Sequence, residues 1–176
     1  YIAVLVFLFA LILATLSRSK FDYIILGGLS LWGLLHLAGG GIIVQGKVLY
    51  AYHILPVLQI GDSIVLKFDQ FVHFFGFGVS TLVVYHLLLP YLNKNTNWKV
   101  VYPILVIAGM GLGALNEVVE FMAVLTFDET GVGGYTNTAL DLVFNTFGAI
   151  VAVFIIHYTK YKKSFWLNQE KSAIIK

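Results

Sequence analysis

The chain predicts an all-α fold, a polytopic bundle of membrane-spanning helices, and three observations carry that expectation. Hydrophobic residues fill 59% of the 176 positions and charged residues only 11%, against about a quarter charged in soluble domains. Mean hydropathy is +0.88, so a water-soluble fold would lack the polar surface to cover itself. The apolar residues gather into five stretches, most near the ~20 residues a helix needs to cross a bilayer. The few lysines and arginines fall between these stretches or at their ends.

The stretches are residues 1–16, 22–38, 68–92, 98–127 and 135–158. The first begins at Tyr1 inside an apolar run, without an initiator Met or a basic leader region. A natural start further upstream, with a sixth span, is therefore expected. Arg18 and Lys20 follow the first stretch, Lys94 and Lys99 follow the third, and Lys160, Lys162 and Lys163 follow the fifth. When five helices alternate in direction, these basic segments share one side, which the positive-inside rule assigns to the cytoplasm. Connections 39–67 and 128–134 then face outward, and the C-terminus is cytoplasmic. The expected setting is the cytoplasmic membrane of a bacterium or archaeon.

Residues 1–163 form the expected bundle, with 39–67 as its long outer loop. That loop carries Gly39, Gly40, Gly41, Tyr50, Tyr52 and His53. Its apolar pieces are too short to span, so it is expected to fold back on the outer face or to dip in and return. Residues 164–176 place Phe165, Trp166 and Leu167 beside lysines, the composition of an interfacial cytoplasmic tail. A net charge of +2 gives no nucleic-acid footprint. The absence of cysteine excludes disulfides and thiolate chemistry. There is no HExxH box and no serine clearly paired with a base, so conventional zincin or serine-hydrolase chemistry is unsupported. No internal repeat supports an inverted-repeat transporter.

Chemistry concentrates in the third, fourth and fifth stretches. An ionisable group inside a membrane helix costs about 2.5–3.5 kcal/mol on insertion scales, so it is usually paired, cavity-facing and functional. Asp69 with His73, Glu117 with Glu120, and Asp141 with Asn145 each sit three or four residues apart, on one face of a helix. Under the charge-derived topology all lie in the outer half, with His73, Glu120 and Asp141 about seven residues, or about 10 Å, below the outer boundary. A single pair taken alone favours a structural reading, Asp69 as a helix-start acid or Asn145 as interhelical glue. Together, four carboxylates face only His73 and His36 as nearby cations, because no Lys or Arg lies within those stretches at that depth. Such a cluster takes up protons or holds a cation.

His36, at the end of the second stretch, and Asn145 are expected to orient groups at this site, and His53 to cap it from the loop. His86 and His157 fall near the opposite helix ends and read as structural. Gly76, Gly78, Gly109, Gly111, Gly113 and Gly148 offer small surfaces for close helix packing.

At these residues the chain resembles the VanZ-like membrane proteins, and more closely a related set of uncharacterised bacterial inner-membrane proteins. The resemblance runs over about residues 35–152. It rests on Leu35-His36 before the glycines, on Phe68-Asp69-Gln70-Phe71-Val72-His73, on Asn116-Glu117-Val118-Val119-Glu120, and on Asp141-Leu142-Val143-Phe144-Asn145 before Gly148. In the family pattern an Asp-x-x-x-His helix, a Glu-x-x-Glu helix and an Asp-x-x-x-Asn helix recur in that order. Many relatives carry a basic residue after the first Asp, where this chain has Gln70, which removes one partner for the acids. The resemblance implies relatives linked to the cell envelope rather than a defined reaction.

The leading expectation is an intramembrane site, open to the outer leaflet, acting on or binding a lipid or lipid-linked cell-envelope substrate. Asp69, His73, Glu117, Glu120 and Asp141 would hold a divalent metal or share protons. Among Zn, Mn, Mg and Ca the ligand types do not choose. His73, Glu117 and Glu120 are the catalytic candidates, one Glu serving as general base. A proton- or cation-coupled transporter and a non-enzymatic subunit with a structural polar network are the rival readings. Oligomeric state is left open.

Overall fold

The computed structural model describes residues 16–55, 59–60, 63–127 and 133–174, with four isolated positions before them. The expected first span, 1–16, falls almost wholly outside the described residues. The others appear as helices α1 (Tyr23–Gly41), α2 (Phe68–Leu88), α3 (Trp98–Thr126) and α4 (Tyr135–Ile174). Tyr23–Gly41, Phe68–Tyr91, Trp98–Thr126 and Tyr135–Lys160 are each long and apolar enough to cross a membrane. The protein is a polytopic helical membrane bundle, and its helix ends fall within a few residues of those read from the sequence, except that α4 continues well past 158.

Side-chain chemistry sets those ends. The Asp22 carboxylate accepts the Ile25 N–H at 2.8 Å and starts α1, as an N-cap should. Asn97 does the same for α3 through Lys99 N–H. At α2, Gln70 Oε1 reaches back to accept the Lys67 N–H at 2.7 Å. α4 runs on unbroken through the expected tail region to Ile174.

Burial is distributed as a bilayer demands rather than as water does. Ile107, Leu115, Val118 and Phe154 point outward, where lipid rather than water satisfies them. The buried interior instead holds Gln70, His73, Thr81, Asp141 and Asn145 beside Val72, Leu105 and Ala149. Glycines let the helices close over this polar interior. A Cβ at Gly148 would run into the Phe74 carbonyl oxygen of α2, and one at Gly113 into the Asn145 side chain. Backbones therefore touch across the α2–α4 seam, the close approach that small residues permit. Gly111 has open space around it and takes no part in this packing.

The loop between α1 and α2 folds into two small hairpins, Ile43–Val44 with Lys47–Val48 and Gln59–Ile60 with Ser63–Ile64. Gln45 and Gly46 turn the first with φ of 51° and 77°, the double left-handed geometry of tight hairpins. Leu66, at φ 66°, is strained by about 1–2 kcal/mol. That strain redirects the chain so that Phe68 N–H reaches the Tyr52 carbonyl at 2.8 Å and His53 bridges Lys67. The loop is thereby pinned across the start of α2.

Contacts also define the opposite end. His86 Nε2 donates to the Ser19 carbonyl at 2.9 Å, and Tyr102 pairs with His157 Nδ1 at 3.1 Å. Lys160 Nζ lies 3.3 Å from the Trp98 ring centroid. Residues beside all three basic segments thus meet at one end of the bundle, away from the acids.

Candidate functional site

Three helices deliver the site. α2 contributes Asp69, Gln70 and His73, α3 contributes Asn116, Glu117 and Glu120, and α4 contributes Asn137, Asp141 and Asn145. The i, i+4 spacing along α4 lines its three residues on one stripe, which packs into the angle between α2 and α3.

Towards the outer rim the polar groups are densely hydrogen-bonded. Gln70 Nε2 donates to Asp141 Oδ1 at 2.9 Å and to Asn137 Oδ1 at 3.3 Å. The Asn137 amide donates to Asp141 Oδ2 at 2.6 Å and to Asp69 Oδ2 at 3.0 Å. Lys67 Nζ closes the rim by donating to Asn137 Oδ1 at 3.1 Å. Hydrogen bonds to charged groups contribute about 1.5–3 kcal/mol each, so this lattice offsets part of the cost of burying two carboxylates.

Deeper in the bundle the bonding is incomplete. His73 Nδ1 donates to Asn145 Oδ1 at 3.0 Å and stands 3.5 Å from Glu117 Oε1. On the far side of the ring, Nε2 lies 3.8 Å from Asp69 Oδ1. Glu120 accepts the Asn116 amide through one oxygen at 2.8 Å. Glu117 Oε1 and Asn145 Nδ2 are buried with no hydrogen-bond partner, an omission that native interiors seldom tolerate without a reason. Ligand atoms of Asp69, His73 and Asp141 lie within 4.8 Å of one another, and so do those of His73, Glu117 and Glu120. His73 belongs to both groups.

Asp69, His73, Glu117, Glu120, Asp141 and Asn145 are therefore brought together as their spacing implied. His36 instead meets the Tyr50 hydroxyl with its Nδ1 at 2.5 Å, and a chain of ring contacts through Trp32 and Phe77 links it to His73. His53 lies in the loop over the α2 start, held by its backbone bridge to Lys67. Sequence reasoning missed Gln70, Asn137, Lys67 and Asn116. Gln70 looked like a lost partner because it carries no charge, yet it is fully buried and supplies the donor for Asp141. Lys67 was passed over because it precedes the helix, although its long side chain reaches into the rim. Asn137 could have been found, since it stands four residues before Asp141 as Asn145 stands four after.

Fold and site together define a polytopic membrane protein with a buried acid and histidine cluster inside the bundle. The chain belongs to the family described as "Predicted membrane protein (DUF2238)", whose model matches residues 1–162. No curated protein and no solved structure matches it.

Proposed function

We propose that the cluster is a divalent-cation site that serves binding of, or chemistry on, a lipid or lipid-linked cell-envelope substrate. The observation that carries this reading is the convergence of four carboxylates on His73, with Lys67 the one lysine side chain reaching them among the described residues. A divalent ion supplies the missing positive charge, and its Lewis acidity would polarise a phosphoryl or carbonyl oxygen of the substrate. Glu117 or Glu120 would then stand ready as a general base. The substrate class follows from the site's position within membrane-spanning helices, where lipid is the surrounding medium.

The basic end is assigned to the cytoplasm by its lysines and arginines, which puts the cluster and the hairpin loop in the outer half and the C-terminus inside. The order of the three motif-bearing helices supports kinship with the VanZ-like proteins. Transport fits less well. A proton or ion path would need polar groups continuing inward, and the buried Thr81 below the cluster spends its hydroxyl on the Phe77 carbonyl of its own helix at 2.7 Å.

The test is metal analysis of protein purified without chelator, beside a His73→Ala, Glu120→Ala double variant. Wild type should retain about one equivalent of a divalent metal and melt higher when metal is restored, and the double variant should do neither. A second arm compares lipid retained by the two proteins in native mass spectrometry, with and without metal. Wild type that retains no metal, and whose melting does not respond to added Zn, Mn, Mg or Ca, contradicts the proposal.

A further inference from the structure

Resting on that reading, we propose that the ion sits in the deeper half of the cluster, held by His73 Nδ1, Glu117 and Glu120 with the Asn145 side-chain oxygen, while Asp69 and Asp141 do not ligate it. The two candidate ligand groups share His73 but differ in what their oxygens already do. Both Asp141 oxygens accept amide hydrogens, from Gln70 at 2.9 Å and Asn137 at 2.6 Å, and Asp69 Oδ2 accepts from Asn137 at 3.0 Å. An ion among them would face the positive ends of those amide dipoles. The lattice would have to open before it could bind.

In the deeper group the one such obstacle is the proton that His73 Nδ1 gives to Asn145 Oδ1, and a change of tautomer removes it. Glu117 Oε1 is buried without a partner, and it faces His73 Nδ1 at 3.5 Å. Asn145 Oδ1 lies 3.0 Å from the same nitrogen. Ligands sharing an ion at bond lengths of about 2.1 Å stand about 3.0 Å apart in an octahedron and about 3.3–3.5 Å apart in a tetrahedron. Both distances from His73 Nδ1, 3.5 Å to Glu117 Oε1 and 3.0 Å to Asn145 Oδ1, match those between adjacent ligands of one ion. Glu120 has one oxygen engaged by Asn116 and one left to bind.

Asp69 then acts through the ring. With an ion on Nδ1 the imidazole would carry its proton on Nε2, on the side of Asp69 Oδ1, which stands 3.8 Å away. A carboxylate behind a metal-bound imidazole fixes tautomer and orientation. Asp69 is thus a positioning residue, and the rim lattice of Gln70, Asn137 and Asp141 is the frame that holds it. One nitrogen with three oxygens and no thiolate suits Mn²⁺ or Zn²⁺.

The test is titration of the chelator-stripped full chain with Mn²⁺ alone, followed by electron paramagnetic resonance, for wild type, Glu117→Gln, Glu120→Gln and Asp141→Asn. Glu117→Gln should weaken Kd by at least 30-fold and Glu120→Gln by at least tenfold, whereas Asp141→Asn should change it less than threefold. Spin-echo spectra of the Mn-loaded wild type should show nitrogen coupling from one imidazole, absent in His73→Gln. Thermal melts confirm that each variant is folded, and either glutamate variant alone suffices if the other is not. Asp141→Asn weakening binding as strongly as Glu117→Gln, or bound Mn²⁺ without nitrogen coupling, would overturn this placement while leaving a cation site in being. Wild type that binds neither Mn²⁺ nor Zn²⁺ overturns the cation reading itself.

Discussion

The two ends of this bundle are made from the same helices and solve opposite problems. At the basic end, polar side chains find single partners near the surface: His86 on the Ser19 carbonyl, Tyr102 on His157, Lys160 over Trp98. At the acid end, three helices bury Asp141, Asn145, Gln70 and His73 almost completely and tie most of them into one lattice. The difference shows where the protein spends stability. The basic end can be explained by topology and helix termini alone, whereas the acid end concentrates like charge and still leaves a carboxylate oxygen unpartnered.

The comparison breaks most readily through the seam that both ends share. Gly148→Leu should abolish folded protein, because the new side chain meets the Phe74 carbonyl rather than a movable side chain and exceeds the about 1–3 kcal/mol of ordinary overpacking. Recovery of monodisperse protein after detergent extraction reads this out. Next in size, Gln70→Leu should cost about 2–3 kcal/mol in unfolding, since it strips a buried carboxylate of one of its two amide donors. His157→Phe at the basic end should cost under about 1 kcal/mol in the same assay, the range of an exposed neutral hydrogen bond. Equal costs would erase the contrast between the ends.

Two milder tests sharpen it. Metal affinity at the acid end should fall on acidification, because metal ligands bind only in their deprotonated form. Calorimetric titration with Mn²⁺ measures this, and an affinity that rises on acidification contradicts it. The chain has no cysteine, so single-cysteine labelling is clean. Lys94→Cys should react only from the cytoplasmic side and Gly134→Cys, which is exposed with open space around it, only from the outside, with little effect on stability.

Much of this was legible in the sequence. Apolar run length located α1 to α4 within a few residues, apart from the end of α4, and the i, i+3 and i, i+4 pairs identified six residues that do come together. The loop was less legible. Its first hairpin turns on left-handed Gln45 and its approach to α2 on left-handed Leu66, residue types that do not announce that conformation as glycine does. For His36 the helix position gave its depth but not its hydrogen-bond partner, Tyr50, which arrives from the loop. The rim amides escaped because a search for compensating charge overlooks Gln70 and Asn137, which satisfy carboxylates by donation rather than by neutralisation.

The central claim, that the buried acids hold a cation, is tested most directly by anomalous diffraction from crystals of the Mn²⁺-loaded protein. The account predicts one strong peak within about 2.0–2.3 Å of His73 Nδ1 and of Glu117 and Glu120 oxygens. A map with no peak at the cluster, from protein shown to be folded and soaked in excess Mn²⁺, would contradict it.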